Sequence, residues 1–392
     1  MITPSKVDGV PNIHYPALDG LRGLAILLVM TGHFTRIEFD GLAGVPFDIL
    51  REAGWTGVDL FFVLSGFLIT GILLRTKGKV GYFHRFYVHR ALRIVPLYYF
   101  LLLMYTTVLP LVLPADNPYI PKPWIREPVW YWTFLSNFFM FNLGKFPDEV
   151  MSVSWSLAVE EQFYLVWPLV VLLCSRRRLL QCCLVIIGSA VVTRLSLFLL
   201  GANFMQMFVY TFARMDSLAV GALVAWIWTS PPGLFWYQRW RRTITTSATL
   251  ALAVCYLWDA ASYYFFSGSP SFRITSIILF TALSLLYGTA ILHLLLNPDG
   301  AAARALSTRF FRIAGLFSFA MYLTNDTINH TLIAFGISPN DLAGGGVIGQ
   351  IIYYLICYPL TFAVGWVSYH GLEKHFLKLK FSSSAALRDR TC

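Results

Sequence analysis

Ten apolar runs of membrane-spanning length constrain the fold of this chain more than any other feature. A transmembrane helix needs about 20 consecutive, predominantly apolar residues. Only helices and closed barrels satisfy every backbone polar group inside a bilayer. The runs therefore predict an all-α polytopic membrane protein with about ten transmembrane helices in one bundle. They cover residues 21–37, 57–75, 94–113, 155–175, 179–200, 206–228, 243–263, 273–296, 312–336 and 346–370.

The composition is that of a protein whose main partner is a lipid bilayer. Hydrophobic residues make up 57% of the 392-residue chain and charged residues 13%, whereas soluble domains contain about 25% charged residues. The chain has a net charge of +10. In a membrane protein this excess of Lys and Arg indicates cytoplasmic loops rather than a nucleic-acid interface. None of the six cysteines has the spacing of zinc ligands, so we expect no metal.

Charge alternates along the chain as the positive-inside rule requires. One set of alternate connections includes both termini, 76–93, 229–242 and 297–312, and it holds 22 Lys and Arg and 5 acidic residues. The opposite set includes the Pro- and Trp-rich connection 114–153, and it holds 6 Lys and Arg and 10 acidic residues. Because Lys and Arg accumulate in cytoplasmic loops, we expect both termini in the cytoplasm. The predicted divisions are a cytoplasmic segment 1–20, a transmembrane domain 21–370 and a basic cytoplasmic tail 371–392.

The first span carries two ionisable side chains on one face. Arg22 and His33 are eleven residues apart, which is close to three helical turns and roughly 16 Å along the axis. Ionisable residues inside a membrane are costly and indicate functional sites. A lone histidine also occurs as a satisfied core residue, but the shared face with Arg22 favours His33 as a catalytic base or nucleophile.

Three acids lie in other spans at a depth expected to match that of His33. Asp59 opens the second span, and Glu160 and Glu161 lie in the fourth. Adjacent helical residues point about 100° apart, so at most one of the two glutamates faces a given pocket. We expect Asp59 to orient the imidazole of His33 and Glu160 to act as the second acid. The alternative for Asp59 is an N-cap or an interfacial acid.

Two arginines before the third span suit phosphate binding. Arg90 and Arg93 are three residues apart and can share a helix face, and arginine pairs bind phosphate in bidentate geometry. With Arg22 they form the predicted donor-binding set, although anchoring by the positive-inside rule explains them as well. Weaker candidates in later spans are Arg214, Asp216, Asp326 and His330.

Several stretches resemble one family of membrane-bound enzymes. Residues 18–25 read LDGLRGLA, 57–67 read GVDLFFVLSGF, 155–164 read WSLAVEEQFY, and 214–217 read RMDS. Arg90, Arg93 and Pro96 match an Arg-x-x-Arg-x-x-Pro pattern. These motifs are similar, in order and over nearly the whole chain, to those of acyltransferase 3. That family contains the O-acyltransferases of bacterial surface polysaccharides, lipid-linked sugars, Nod factors and macrolides.

The resemblance implies an enzyme of the bacterial inner membrane. The expected donor is cytoplasmic acyl-CoA, with acetyl the usual acyl group, and the expected acceptor is a hydroxyl of a carbohydrate or lipid-linked glycan. One stretch departs from the family pattern. The family often has Tyr-Leu-Trp-His in the ninth span, where this chain reads YLTND over 322–326, so Asn325 replaces a histidine.

Two other classes of function also fit a bundle of this kind. A proton-coupled transporter or exporter of glycans or small solutes uses buried acids and histidines too. A scaffold for a polysaccharide assembly complex would not need buried ions. For the enzyme, His33 could act as a base on the acceptor hydroxyl or form an acyl-imidazole, and the residues alone leave both routes open.

Overall fold

The structure is a computed structural model that describes residues 6–7, 10–11, 15–36, 51, 53–108, 127–147, 151–265 and 272–379. Only the backbone is described for residues 6–7, 10–11, 259–265 and 272–273.

Helices make up almost all of the described secondary structure. Strands β1 (Lys6–Val7) and β2 (Val10–Pro11) form a short antiparallel pair. Two π-helical stretches, Met104–Val108 and Tyr369–Glu373, continue helices α3 and α14. The α-helices are α1 Pro16–Phe34, α2 Thr56–Thr76, α3 Tyr82–Leu103, α4 Pro128–Trp132, α5 Ser136–Leu143, α6 Ser154–Leu173, α7 Arg176–Leu199, α8 Phe204–Val209, α9 Thr211–Trp228, α10 Pro231–Phe265, α11 Phe272–Leu296, α12 Ala301–Leu306, α13 Arg309–Ala334 and α14 Gly346–Ser368.

Nine of the ten predicted spans each overlap one described helix, and 206–228 overlaps α8 and α9, which are separated at Tyr210. The all-α membrane architecture is therefore confirmed. Seven of the described helices are long and apolar enough to cross a membrane. Helices α9 and α10 pass the same test only together, and they are bent by 113° at the break between them. The polar residues 324–330 lower the hydropathy of α13. The exact count of ten crossings is therefore not confirmed.

Two predicted connections are helical over most of their length. Helix α3 begins at Tyr82 rather than at 94, and α10 begins at Pro231 rather than at 243. Hydropathy locates only the apolar part of a helix, and these extensions are rich in aromatic and basic residues. Pro231 and Pro232 can occupy the first turn because the N–H groups there have no helical partner.

A glycine contact sets the crossing of α1 and α13. A Cβ atom at Gly23 or at Gly315 would overlap the backbone of the other helix, so only glycine permits this approach. The two helices run in the same direction, since the hydrogen bond between His33 and Asn325 lies ten residues further along each helix. The crossing therefore places the predicted catalytic histidine against α13.

A second glycine contact sets the crossing of α2 and α9. A Cβ atom at Gly66 would meet the backbone of Leu218, and one at Gly221 would meet the backbone of α2. Seven residues before these glycines, Asp59 on α2 meets Arg214 on α9. The two close crossings thus determine which polar side chains meet inside the bundle.

Candidate active site

Four arginines line a cavity at one end of the bundle, which we call the basic vestibule. Two acids, Asp19 and Glu373, also line it, so the described lining has a net positive charge. Arg22 Nη1 lies 3.9 Å from a carboxylate oxygen of Asp19. The four arginines come from α1, α3 and α13, and they are Arg22, Arg93, Arg309 and Arg312.

The vestibule adjoins a second cavity, which we call the middle cavity. Arg22 and Arg93 line both, and Arg90 joins them in the middle cavity. The guanidinium carbon of Arg90 lies 4.8 Å from the centre of the Tyr164 ring, within the range of a cation–π contact. The structure thus brings together the three arginines that the sequence analysis assigned to phosphate binding.

Glu160 lies in the middle cavity, on the arginine side of the bundle. Tyr164 donates a 2.7 Å hydrogen bond to Glu160 Oε2, and the Tyr164 hydroxyl also contacts the Ser65 hydroxyl. Glu161 lines neither the vestibule nor the middle cavity, and its Oε1 atom is buried without a hydrogen bond in the described part of the chain. The two adjacent acids therefore face different surroundings, as their 100° separation requires.

The middle cavity adjoins a third cavity, the histidine cavity, through a shared wall. Val58 and Tyr322 line both. The Tyr322 hydroxyl lies 2.5 Å from the Ser156 hydroxyl, which ties this wall to the motif at the start of α6. The three cavities therefore form a series that begins at the arginines and ends at His33.

His33 is held by Asn325, where the sequence analysis expected Asp59. The distance from His33 Nδ1 to Asn325 Oδ1 is 2.5 Å. Asn325 Nδ2 donates to the carbonyl oxygens of Met321 and Tyr322 at 2.9 and 2.8 Å, so the amide can present only its oxygen to the imidazole. An amide oxygen is an acceptor, so His33 Nδ1 carries the proton and Nε2 is the basic nitrogen.

Further polar side chains surround the histidine cavity. Asp326 and His330 line it, and His330 Nε2 lies 3.9 Å from Asp326 Oδ1. Ser152 donates a 2.7 Å hydrogen bond to Asp326 Oδ2. Arg36 and Arg51 also line this cavity. Asp326 and His330 were the weaker candidates in the sequence, and the structure places both beside His33.

Asp59 is part of a buried ion pair. Its Oδ1 atom accepts a 2.8 Å bond from Arg214 and a 3.0 Å bond from the Ser217 hydroxyl. Neither charged side chain has any exposed surface. The Arg214 guanidinium carbon lies 3.9 Å from the centre of the Phe280 ring. Asp59 therefore neutralises Arg214 and does not contact the imidazole of His33.

A second buried ion pair lies beside the first and was missed in the sequence. Arg194 on α7 and Asp216 on α9 are 2.9 Å apart and fully buried, and Thr281 bonds to both. The sequence analysis considered Asp216 but not Arg194. Arg194 could have been identified from the sequence, because it is the single charged residue in the run 179–200.

The described residues include no group of three or more His, Cys, Asp or Glu side chains that could hold a metal ion. The polar groups of the site are instead arginines, hydroxyls, carboxylates and one oriented histidine. Such a set can bind phosphate and move a proton.

Comparison with known families decides the identity of the domain. A family model described as "Acyltransferase domain" matches residues 15–370. This chain belongs to the acyltransferase domain family. The resemblance found in the motifs is confirmed. The middle and histidine cavities lie within the matched residues, and so does the vestibule except for Glu373 and Leu377.

Curated relatives are similar over most of this chain. The protein named "Putative peptidoglycan O-acetyltransferase YrhL" from Bacillus subtilis is 29% identical over 377 residues, which cover 92% of this chain and 54% of the relative. "Peptidoglycan O-acetyltransferase OatA" from Listeria monocytogenes is 26% identical over 327 residues, which cover 79% of this chain and 48% of the relative. The chain thus spans about half the length of these relatives. No solved structure matches it.

Proposed function

We propose that this acyltransferase domain transfers an acyl group from acyl-CoA on one side of the membrane to a glycan hydroxyl on the other. The observation that carries this proposal is the series of cavities. Arg22 and Arg93 line both the vestibule and the middle cavity, and Val58 and Tyr322 line both the middle and the histidine cavities. A donor bound at the arginines can therefore extend to His33 within the protein.

Acyl-CoA fits the arginine end because its nucleotide carries several phosphate groups. Arginine presents a rigid fork of donors that matches phosphate oxygens. In the proposed complex the nucleotide lies in the vestibule, where Arg309 and Arg312 add to the charge of Arg22 and Arg93. The pantetheine arm then passes Arg90 in the middle cavity. The span from Arg22 to His33, roughly 16 Å along α1, is of the length of an extended pantetheine arm. The names of the relatives favour acetyl as the acyl group.

His33 is the proposed general base. Its Nε2 atom accepts the proton of the acceptor hydroxyl while the hydroxyl oxygen attacks the thioester carbonyl carbon. The carbon–sulfur bond then breaks, and the imidazolium returns its proton to the departing thiolate. Asn325 stabilises the Nδ1 proton throughout, because its amide oxygen is fixed as an acceptor. Glu160 remains a proposed acid of the site, placed on the donor side by Tyr164.

The proposed acceptor is a hydroxyl of a carbohydrate or lipid-linked glycan that reaches the histidine cavity from the side opposite the vestibule. Two relatives are named for peptidoglycan, which supports a cell-wall glycan. We further propose that the vestibule faces the cytoplasm of a bacterial inner membrane, with both termini on that side. The excess of Lys and Arg in the connections at this end supports that orientation.

Transfer by the purified protein tests this function. Labelled acetyl-CoA and soluble peptidoglycan fragments should give labelled ester on the glycan. His33→Ala should lower the rate on the order of 10²- to 10⁴-fold while acetyl-CoA binding is retained. The matched control is His84→Ala, which removes an exposed histidine of α3. Near wild-type transfer by a correctly inserted His33→Ala variant would make His33 a packing residue and reject the mechanism.

A further inference from the structure

A groove separate from the three cavities lies between α10 and α11, at the end of the bundle that holds the vestibule. His293 lines it from the last turn of α11. A few residues later the chain forms α12, whose last residue, Leu306, packs against Gly20 beside the vestibule. The Tyr237 hydroxyl donates a 3.3 Å hydrogen bond to the Thr289 carbonyl oxygen, which links the two helices at the groove.

The chemistry of the groove favours an anion. One wall is formed by Arg241, Arg242, Thr245 and Thr246 of α10, and all four residues are exposed. His293 faces them from α11, and no acidic residue is among the lining residues. The Thr245 hydroxyl donates a 2.8 Å hydrogen bond to the carbonyl oxygen of Arg241. The two guanidinium groups and the Thr246 hydroxyl match the oxygens of a phosphate ester.

The surroundings of the groove place it at the depth of lipid headgroups. Phe235, Trp236 and Trp240 are exposed on the preceding turns of α10, and exposed aromatic residues favour the membrane interface. Further along the same helix the exposed side chains become aliphatic, at Leu250 and Val254. Arg242 and Leu250 are separated by roughly 12 Å along the axis, so the arginines lie between the aqueous phase and the hydrocarbon.

We propose that this groove binds an anionic phospholipid of the leaflet on the vestibule side, which is the cytoplasmic leaflet in the orientation proposed above. The headgroup phosphate is held by Arg241 and Arg242 and accepts a hydrogen bond from the Thr246 hydroxyl. One acyl chain follows the apolar part of the groove past Leu286. Charge complementarity and interfacial depth favour this occupant over a soluble phosphate compound.

Lipid binding by the intact protein, measured with phosphatidylglycerol as the probe, tests the proposal. Native mass spectrometry of protein released from mixed phosphatidylcholine and phosphatidylglycerol vesicles should show preferential retention of phosphatidylglycerol. A hydrogen bond to a charged group contributes roughly tenfold or more in affinity. Arg241→Gln with Arg242→Gln removes such bonds from both arginines to one phosphate and should weaken retention on the order of 100-fold. The matched control, Arg177→Gln with Arg178→Gln, removes an equally exposed pair from the start of α7 and should change it little.

Two further measurements make the outcome specific. Replacement of both groove arginines by lysine keeps the charge and should restore most of the retention, which separates loss of binding from misfolding. Addition of glycerol phosphate should not displace the lipid, because the soluble ester lacks the acyl chain. Three results would each reject a phospholipid site in this groove. They are an equal loss of phosphatidylglycerol retention in the α7 control variant, equal retention of both lipids by the wild-type protein, and displacement of the lipid by glycerol phosphate.

Discussion

Asn325 determines which nitrogen of His33 is available for chemistry. Its amide nitrogen is bonded to two carbonyl oxygens of its own helix, so its oxygen must face His33 Nδ1. Replacing it by leucine removes the acceptor and frees the imidazole to adopt the other tautomer or to rotate. We expect Asn325→Leu to lower kcat on the order of 10- to 100-fold, as for lost partners of ligating histidines, with the KM for acetyl-CoA unchanged.

Two comparisons separate this positioning role from simple packing. Asn325→Asp keeps an acceptor oxygen at Nδ1 and should stay within about tenfold of the wild-type kcat. Thr324→Val alters the neighbouring buried residue, whose hydroxyl bonds only to its own helix at Ala320, and should leave kcat nearly unchanged. Equal kcat values for the leucine and wild-type proteins would show that Asn325 does not orient His33.

Asp59 is expected to affect stability more than chemistry. Removing one partner of a buried ion pair leaves the other charge uncompensated, at a cost of about 3–5 kcal/mol. Asp59→Leu should therefore lower the thermal unfolding midpoint strongly. The double variant that also carries Arg214→Met should have a midpoint between those of Asp59→Leu and the wild-type protein. The control is Asp299→Asn, at an exposed position before α12, which should shift stability by less than about 0.5 kcal/mol. If Asp59→Leu abolishes acyl transfer without changing the unfolding midpoint, Asp59 has a catalytic role instead of a stabilising one.

At the scale of helices, the close approach of α1 and α13 holds the site together. Gly315→Ala places a methyl group against the backbone of α1, so the helices must separate and His33 must move away from Asn325. A displacement of about 1 Å can cost on the order of 10²-fold in rate, and we expect a loss of this size in transfer. Gly188→Ala is the matched control, because a Cβ there meets no atom within 4 Å.

The outcome of this comparison is read from kcat and from the unfolding midpoint together. Alanine stabilises an exposed helix relative to glycine by roughly 0.5–1 kcal/mol, so Gly188→Ala should keep full activity with an equal or higher midpoint. Equal activity of Gly315→Ala and Gly188→Ala would show that the α1–α13 distance does not control the histidine.

The helices themselves could be predicted from sequence because their signal is local. Each long apolar run coincides with a helix, but the two segments with mixed aromatic and basic residues were predicted as connections. Which helices meet could not be predicted. His33 and Asn325 are 292 residues apart in the chain, and Asp59 and Arg214 are 155 apart. A single span shows the face that a residue occupies but not the helix that it faces.

At the scale of the whole molecule, the cavities connect two ends of the bundle with different chemistry. The vestibule is lined by four arginines, whereas the far cavity holds the oriented histidine with Asp326 and His330. The sequence analysis predicted this separation from Arg22 and His33 on one helix face. It did not identify Arg309 and Arg312, because arginines before a span are already explained by membrane orientation.

Transfer across a sealed membrane tests the central claim most directly. Vesicles carrying the protein are loaded with soluble peptidoglycan fragments, and labelled acetyl-CoA is added only outside. Only protein molecules whose vestibule faces outward can bind the donor, so molecules in the opposite orientation do not contribute to the signal. We expect labelled glycan inside the vesicles with the wild-type protein and at most about 1% of that rate with His33→Ala. Label that forms only when donor and acceptor are supplied on the same side would contradict a path from the arginines to His33 through the bundle.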